Sequence, residues 1–241
     1  MTAISGSAAA VTGAASGIGR ALAHELALRG CDLALADRDE AGLQATAAEI
    51  AKASPRKVTV HRLDVSEPDQ ITAFAAAAGA AHPTLNIVIN NAGVALLGQF
   101  DEIEQGQMEW LFNINFWGVV HGTRAFLPLL SQRREAHIVN ISSIFGIIAP
   151  PGQSAYCAAK FATRGFMDSL RTELLHEQSP IRLTEIHLPA VNTPQFDWAR
   201  NKMPRKAQPV PPIHSPEAIA RAVHRAALDA PREVWLAGSA V

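Results

Sequence analysis

Tyrosine is almost missing from this chain. There is one in 241 residues, Tyr156. Cysteine is nearly as scarce, with only Cys31 and Cys157. Two cysteines without metal-ligand spacing exclude a disulfide-stapled scaffold and a cysteine-built metal site. A single bridge between them stays open, but the chain reads as a reduced, cytoplasmic protein. An excess of either charge is also lacking, since the formal net charge is −1. That argues against nucleic acid or a membrane surface as the partner of the whole chain. The local clusters Lys52, Arg56, Lys57, Arg62 and Arg200, Lys202, Arg205, Lys206 read as solvated loops. No apolar run is long enough to span a membrane, because "SAAAVTGAASGIG" is too short and too glycine-rich. The opening "MTAISGS" has no basic segment followed by an apolar core, so no signal peptide is expected.

What is present is a folded globule: 48% hydrophobic and 18% charged residues, at a length that suits one large domain or two small ones. Strand-like and helix-like segments alternate. The strands expected are "AAAVTG", "CDLALAD", "KVTVHRLD", "LNIVIN", "AHIVNISS", "IRLTEIHLP" and "REVWLAG". Between them the pattern predicts helices over 17–29, 39–53, 67–81, one or two within 103–133, then 154–177 and 216–229. A proline-rich loop is expected over 190–214. Apolar strands joined by helix-length crossovers predict an α/β fold, a doubly wound parallel sheet of about seven strands with helices on both faces. No repeat or linker divides the chain, so residues 1–241 are expected to form a single domain.

"VTGAASGIGRA" closes the first strand and opens the first helix, with glycines at 13, 17 and 19. Glycine tolerates backbone angles closed to other residues and lets a ligand approach the chain closely. The helix start then directs free N–H groups at a pyrophosphate. Asp37 ends the second strand, 24 positions after Gly13, where an acidic residue accepts hydrogen bonds from an adenosine ribose. A carboxylate there repels a 2′-phosphate, and Ser16 adds no positive charge. Both favour NAD. Arg38 is the counter-signal and favours NADP. A helix N-cap is the plainer role for Asp37.

With "TGAASGIG", "NNAG" at 90–93, Asn115, "ISS" at 141–143 and "YCAAK" at 156–160, the chain resembles the short-chain dehydrogenase/reductase family, in order from residue 8 to about 236. The resemblance implies a Rossmann-like fold and a hydride exchange between a nicotinamide cofactor and an alcohol or ketone. It places Thr12, Gly13, Gly17, Ile18 and Gly19 at the pyrophosphate, and Asp64 with Val65 at the adenine. Asn90, Asn91, Ala92 and Gly93 line the ribose side and stabilise the sheet. Pro189, Val191 and Thr193 match the segment that contacts the nicotinamide amide, with Ala190 standing where a glycine is usual.

The same resemblance assigns catalysis to Asn115, Ser143, Tyr156 and Lys160. Tyr156 and Lys160, four residues apart, share a helix face. A free phenol has a pKa near ~10, too high for a base at neutral pH, and a nearby ammonium lowers it. Tyr156 is therefore the expected general acid/base. Lys160 lowers the pKa of Tyr156 and holds the nicotinamide ribose. Strand parity lets only one of Ser142 and Ser143 serve, and the spacing of the family it resembles selects Ser143, which holds the substrate oxygen. Asn115, a mid-helix Asn that asks for a partner, anchors a water leading from Lys160 to solvent. Taken alone, Tyr156 and Lys160 would read as a packed tyrosine and a surface lysine.

Phe196, Trp198 and Met203 of the 190–214 loop, with Phe145 and Leu96, are expected to give the substrate an apolar wall. The histidines are scattered and read as structural or exposed, and no metal is expected. The long helices over 103–130 and 154–177 are those that pair subunits in the family, so a homodimer or homotetramer is expected. Family members often carry further residues beyond the "SAV" that follows "REVWLAG". The leading expectation is an NAD-dependent oxidoreductase of secondary alcohols or ketones. The alternatives are an NADPH-dependent carbonyl reductase and a dinucleotide-binding sensor without turnover.

Overall fold

The computed structural model describes residues 2–236. Seven parallel strands form one sheet: β1 (Ala8–Thr12), β2 (Asp32–Asp37), β3 (Val58–Arg62), β4 (Leu85–Asn90), β5 (Ala136–Ser143), β6 (Ile181–Leu188) and β7 (Glu233–Trp235). Their order across the sheet is β7-β6-β5-β4-β1-β2-β3. The order reverses direction at β1 and β4, which opens a crevice at the carboxyl ends of these strands. This is the doubly wound, Rossmann-like architecture that the alternating pattern predicts.

Seven helices cover the sheet: α1 (Gly17–Leu28), α2 (Glu40–Ala53), α3 (Pro68–Ala81), α4 (Gln105–Phe112), α5 (Gly118–Leu130), α6 (Ser154–His176) and α7 (Pro216–Asp229). The strand pleat sorts side chains between two cores. Ala9, Val11, Leu33 and Leu35 pack toward α1, α2 and α7. Ala8, Ala10, Ala34 and Ala36 face the other way, where the large Phe74 and Phe126 of α3 and α5 meet small strand residues. Each fully buried Leu, Ile or Phe contributes about 1.5–3 kcal/mol. Helix starts are set by local chemistry. Asp39 caps α2 by accepting from the Gly42 N–H at 3.0 Å, and Ser215 caps α7 at the Ala218 N–H, 3.2 Å. Pro68 and Pro216 occupy first-turn positions where no N–H is needed.

Differences from the expected elements are local. The 103–133 region holds α4, one π-helical turn (Asn113–Trp117) and α5, which carries Pro128 inside it. The 190–214 region is not bare loop. It carries strand pairs Leu96–Leu97 with Arg200–Asn201 and Ala190–Val191 with Ile213–His214, plus a short helix, Gln195–Trp198. Of the last expected strand, Glu233–Trp235 is observed. Ala237, Gly238 and the following "SAV" lie outside the described residues. Cys31 and Cys157 are both free and buried. Among the described residues no helix is long and apolar enough to cross a membrane.

Candidate active site

The crevice at the strand ends is a cleft of about 990 Å³. One wall is backbone. Gly13 and Gly17 have φ of +69° and +53°, a region that favours glycine. A Cβ on Gly19 would collide with the Gly13 carbonyl, and one on Gly13 would meet Asn91 Nδ2 at 2.8 Å. The turn is thus packed as tightly as it can be. Asn91 clamps it, donating from Nδ2 to the carbonyls of Thr12 (2.9 Å) and Gly13 (3.2 Å). The Thr12 hydroxyl accepts from the N–H groups of Asn91 and Ala92 at 3.0 and 3.1 Å. Thr12 and Gly19 therefore shape the turn from behind, while Gly13, Ser16, Gly17 and Ile18 face the cleft.

Asp37 stands at the far end of this wall. Its Oδ2 accepts from the Ala15 N–H and its Oδ1 from the Asp39 N–H, both at 3.1 Å. Each oxygen keeps a lone pair for a ligand. The N-cap of α2 is Asp39, so Asp37 does not have the plainer role. Arg38 is exposed beside it. A second, smaller cavity of about 550 Å³ adjoins, lined by Arg38, Arg62 and Gln70 with the acids Asp39, Asp64 and Glu67. Asp64 Oδ1 is occupied by Ser66, through its N–H (2.9 Å) and its hydroxyl (2.7 Å). Asp64 and Val65 also line the main cleft, as do Asn91, Ala92 and Gly93. Asn90 does not. It is buried and donates to Asn140 Oδ1 at 2.8 Å.

The opposite wall is built of side chains. Ser143 ends β5, and Tyr156 and Lys160 lie one turn apart on α6, all three bordering the cleft. Phe145 meets the Tyr156 ring edge-on, with centroids 6.3 Å apart. Burial pushes the Tyr156 hydroxyl up to about 12, and the facing Ser143 hydroxyl offsets part of that rise. Burial pushes the Lys160 amine down to about 8. Lys160 Nζ lies 5.7 Å from the Tyr156 ring centroid and donates to the Ile141 carbonyl at 3.0 Å. The expectation that Lys160 alone lowers the pKa of the phenol is thus not met in the protein by itself. Desolvation of the phenolate outweighs an ammonium engaged elsewhere.

Asn115 sits in the π-helical turn, fully buried. Its amide is held by one backbone residue, Oδ1 accepting from the Val94 N–H and Nδ2 donating to the Val94 carbonyl, both at 2.8 Å. The mid-helix Asn has its partner, and that partner is a strand-end loop. One amide hydrogen and one Oδ1 lone pair remain beyond those two bonds.

Pro189, Ala190, Val191 and Thr193 line the cleft between the two walls, with Thr193 Cγ2 3.3 Å from where a Gly17 Cβ would stand. Phe145, Phe196 and Trp198 line its open end, but Leu96 and Met203 do not. Leu96 is fully buried and Leu97 faces the cleft instead. Met203 packs near Gly152. Strand parity through the short pair at 96–97 would have separated the two leucines had that strand been visible. His187 and Trp235 also line the cleft, and sequence reasoning missed both. The available signal was the position of His187 at the carboxyl end of a core strand.

A family model described as short chain dehydrogenase matches residues 7–204. SadH of Mycobacterium tuberculosis, an oxidoreductase by name, is 47% identical over 193 residues, which is 80% of this chain and 70% of that protein. The Bacillus subtilis oxidoreductase YxnA is 32% identical over 232 residues, and the chain spans 65% of YxnA's length. A short chain dehydrogenase/reductase from Burkholderia phymatum, solved in complex with NAD, superposes with a TM-score of 0.86 at 29% identity, covering 98% of this chain and 90% of that one. An alcohol dehydrogenase from the archaeon Thermococcus sibiricus, complexed with 5-hydroxy-NADP, gives 0.83 at 26% identity, covering 98% and 97%.

Proposed function

The chain belongs to the short-chain dehydrogenase/reductase family, and we propose that it transfers a hydride between NAD(H) and a secondary alcohol or ketone. The reading rests on one observation: Ser143, Tyr156 and Lys160 face a glycine-built cradle across a single cleft. The cradle suits a dinucleotide. Gly13 and Gly17 hold left-handed backbone angles at its surface, a Cβ on Gly19 would break the turn from behind, and Asp37 offers acceptor lone pairs beyond it. When bound, the dinucleotide supplies the hydride donor or acceptor and, oxidised, a positive ring.

The protein's own residues do the rest. Gly13, Ser16, Gly17 and Ile18 present the helix start to the pyrophosphate. Asp37 takes the adenosine ribose, Asp64 and Val65 the adenine, and Asn91, Ala92 and Gly93 the other ribose. Pro189, Val191 and Thr193 hold the carboxamide end. Tyr156 Oη takes the proton of the substrate hydroxyl in oxidation and returns one to the carbonyl oxygen in reduction. Ser143 Oγ hydrogen-bonds the same oxygen and fixes it. Lys160 brings the positive charge that a desolvated phenolate needs. A water at Asn115, held by its backbone carbonyl or by the amide capacity that Val94 leaves, would link Lys160 to solvent. Phe196 and Trp198, in the 190–214 segment, give the substrate end an apolar wall. Trp117 and Phe161, each 44% exposed on the helical side, suit a homodimer or homotetramer contact.

A specific observation favours NADPH as the second reading. Arg38 and Arg62 border one cavity next to Asp37, and guanidinium groups bind phosphate well. A panel of secondary alcohols and ketones, followed by nicotinamide absorbance with each cofactor, tests both. The expected result is turnover with NAD(H) affinity the tighter. Equal or tighter NADPH binding selects the second reading, and absence of turnover with either cofactor selects a non-catalytic sensor.

A further inference from the structure

Beneath Lys160 lies a polar set that the proposed reaction does not use. Register pairs Asn140 with Glu185 and Ser142 with His187 between β5 and β6, and Glu233 with Glu185 and Trp235 with His187 between β7 and β6. Alternate strand residues share a face. Leu183, two before Glu185, packs in the core that holds Ala155, Ala159 and Met167 of α6. Asn140, two before Ser142, donates to Met167 Sδ at 2.8 Å. Glu185 therefore sits on the sheet face covered by the helix that carries Lys160. Lys160 Nζ donates close by, at the carbonyl of Ile141, whose register partner Ile186 follows Glu185. Glu185 is 1% exposed, and its Oε1 has no hydrogen-bond partner. A buried carboxylate in that position needs a counter-charge.

We propose that Glu185 is a positioning residue for Lys160, its carboxylate holding the buried ammonium charged through neutral and mildly alkaline pH. This rests on the reading of Lys160 given above. The groups around Glu185 divide cleanly. Burial raises the Glu185 carboxyl above its ordinary value, and Glu233 from β7 adds to this, while Ser142 from β5, His187 from β6 itself and Lys160 from α6 pull it back toward the ionised form. Glu233 has its own cations. Arg164 of α6 lies 3.5 Å away and Arg232 3.7 Å, and His187 faces it at 3.6 Å. Among the described residues Lys160 has no carboxylate within 4.0 Å, and Glu185 acts on it across the buried layer as the charged group that opposes the effect of burial. An ammonium kept in this state supports both the ribose contact and the phenolate at Tyr156. Its loss at high pH would set the alkaline limb of the reaction.

The test follows Lys160 directly, by NMR titration of protein labelled with ε-¹³C-lysine and assigned with Lys160→Arg. Glu185→Gln is expected to move the Lys160 half-point from about 8 downward by about one pH unit. Glu185→Asp, which keeps a carboxylate, is expected to restore most of that shift. In turnover assays, activity of Glu185→Gln at pH 9 relative to pH 7 should fall about fivefold further than in the parent. Glu233→Gln, whose charge is met by arginines, should leave the half-point in place. A half-point unchanged or raised in Glu185→Gln overturns the proposal, as does a fall produced by Glu233→Gln instead. Should Glu185→Gln not fold, parent protein labelled with δ-¹³C-glutamate and assigned with Glu185→Asp still decides it: a Glu185 carboxylate ionised at pH 7 sustains the proposal, and a carboxyl still protonated at pH 8 overturns it. A parent protein that titrates as stated but reduces no ketone would sink the catalytic reading and leave the Lys160–Glu185 linkage standing.

Discussion

The two walls of the cleft are made of different material. The cradle is backbone: glycine turns held by the Asn91 amide and the Thr12 hydroxyl, with almost no side chain that could move. The wall facing it is side chain: a phenol, a hydroxyl and a buried amine, extended by a segment pinned through surface contacts. Arg200 stacks over the Trp110 ring at 3.7 Å, and Lys202 reaches the Glu102 carbonyl and the Glu104 carboxylate. A backbone site resists every change except one that adds an atom. A side-chain site loses its chemistry to one deletion while keeping its shape. Binding and turnover should therefore be separable.

The strongest way to separate them is Tyr156→Phe. It removes one oxygen and keeps the ring against Phe145, so kcat should fall by about 10³-fold or more while cofactor affinity, followed by fluorescence titration, stays within about twofold. Substantial remaining turnover would take Tyr156 out of its role. The converse is Gly19→Ala. Its added Cβ meets the Gly13 carbonyl, so cofactor affinity should weaken by about 10²-fold, the equivalent of roughly 3 kcal/mol of overpacking. Unchanged affinity in a folded variant would mean that the cradle does not hold the dinucleotide.

Away from both walls, acid should loosen the sheet that supports them. Burial holds the His137 imidazole down at about 4, between the Thr184 hydroxyl at 2.8 Å and the Ala227 carbonyl at 3.2 Å. Between that value and the ordinary 6.5 the unfolded chain binds a proton that the native one does not. Stability is then full above about 6.5 and is lost as pH falls toward 4, by up to about 3 kcal/mol from this residue. His61, His82 and His224 are lowered as well and add in the same direction. Urea melts across pH 7 to 4.5 measure the slope, and His137→Gln should flatten it. The smallest effect is expected at the pinned segment. Arg200→Ala, which removes the stacking on Trp110, should raise KM a few-fold and leave kcat and cofactor affinity unchanged, at a cost of about 0.5–1 kcal/mol. A drop in cofactor affinity would show that the two walls are mechanically coupled.

How far each wall was legible follows from the same contrast. The glycine turn and Asp37 stand close to one another in the chain, and so do Tyr156 and Lys160 on one helix. Local spacing offered each as a candidate, and the ordered set of motifs along the chain raised Tyr156 and Lys160 above a packed tyrosine and a surface lysine. Leu96 was assigned to the cleft and is buried, because the two-residue strand that orients it exists only through its pairing with Arg200 and Asn201. The amide of Asn115 could not be allotted to Val94 from sequence, since the contact spans 21 residues. His187 and Trp235 come from separate strands and meet at the cleft only because those strands pair.

Alternation of apolar strands with helices, and glycine where a turn leaves no room for a side chain, determined the layered sheet and the cradle from sequence alone, because both are set by backbone geometry over a few residues. Which charges share a buried space was decided by the tertiary structure. Glu185, His187, Glu233 and Lys160 lie on three different elements, and their ionisation depends on desolvation and on neighbours that come together only when β6, β7 and α6 pack.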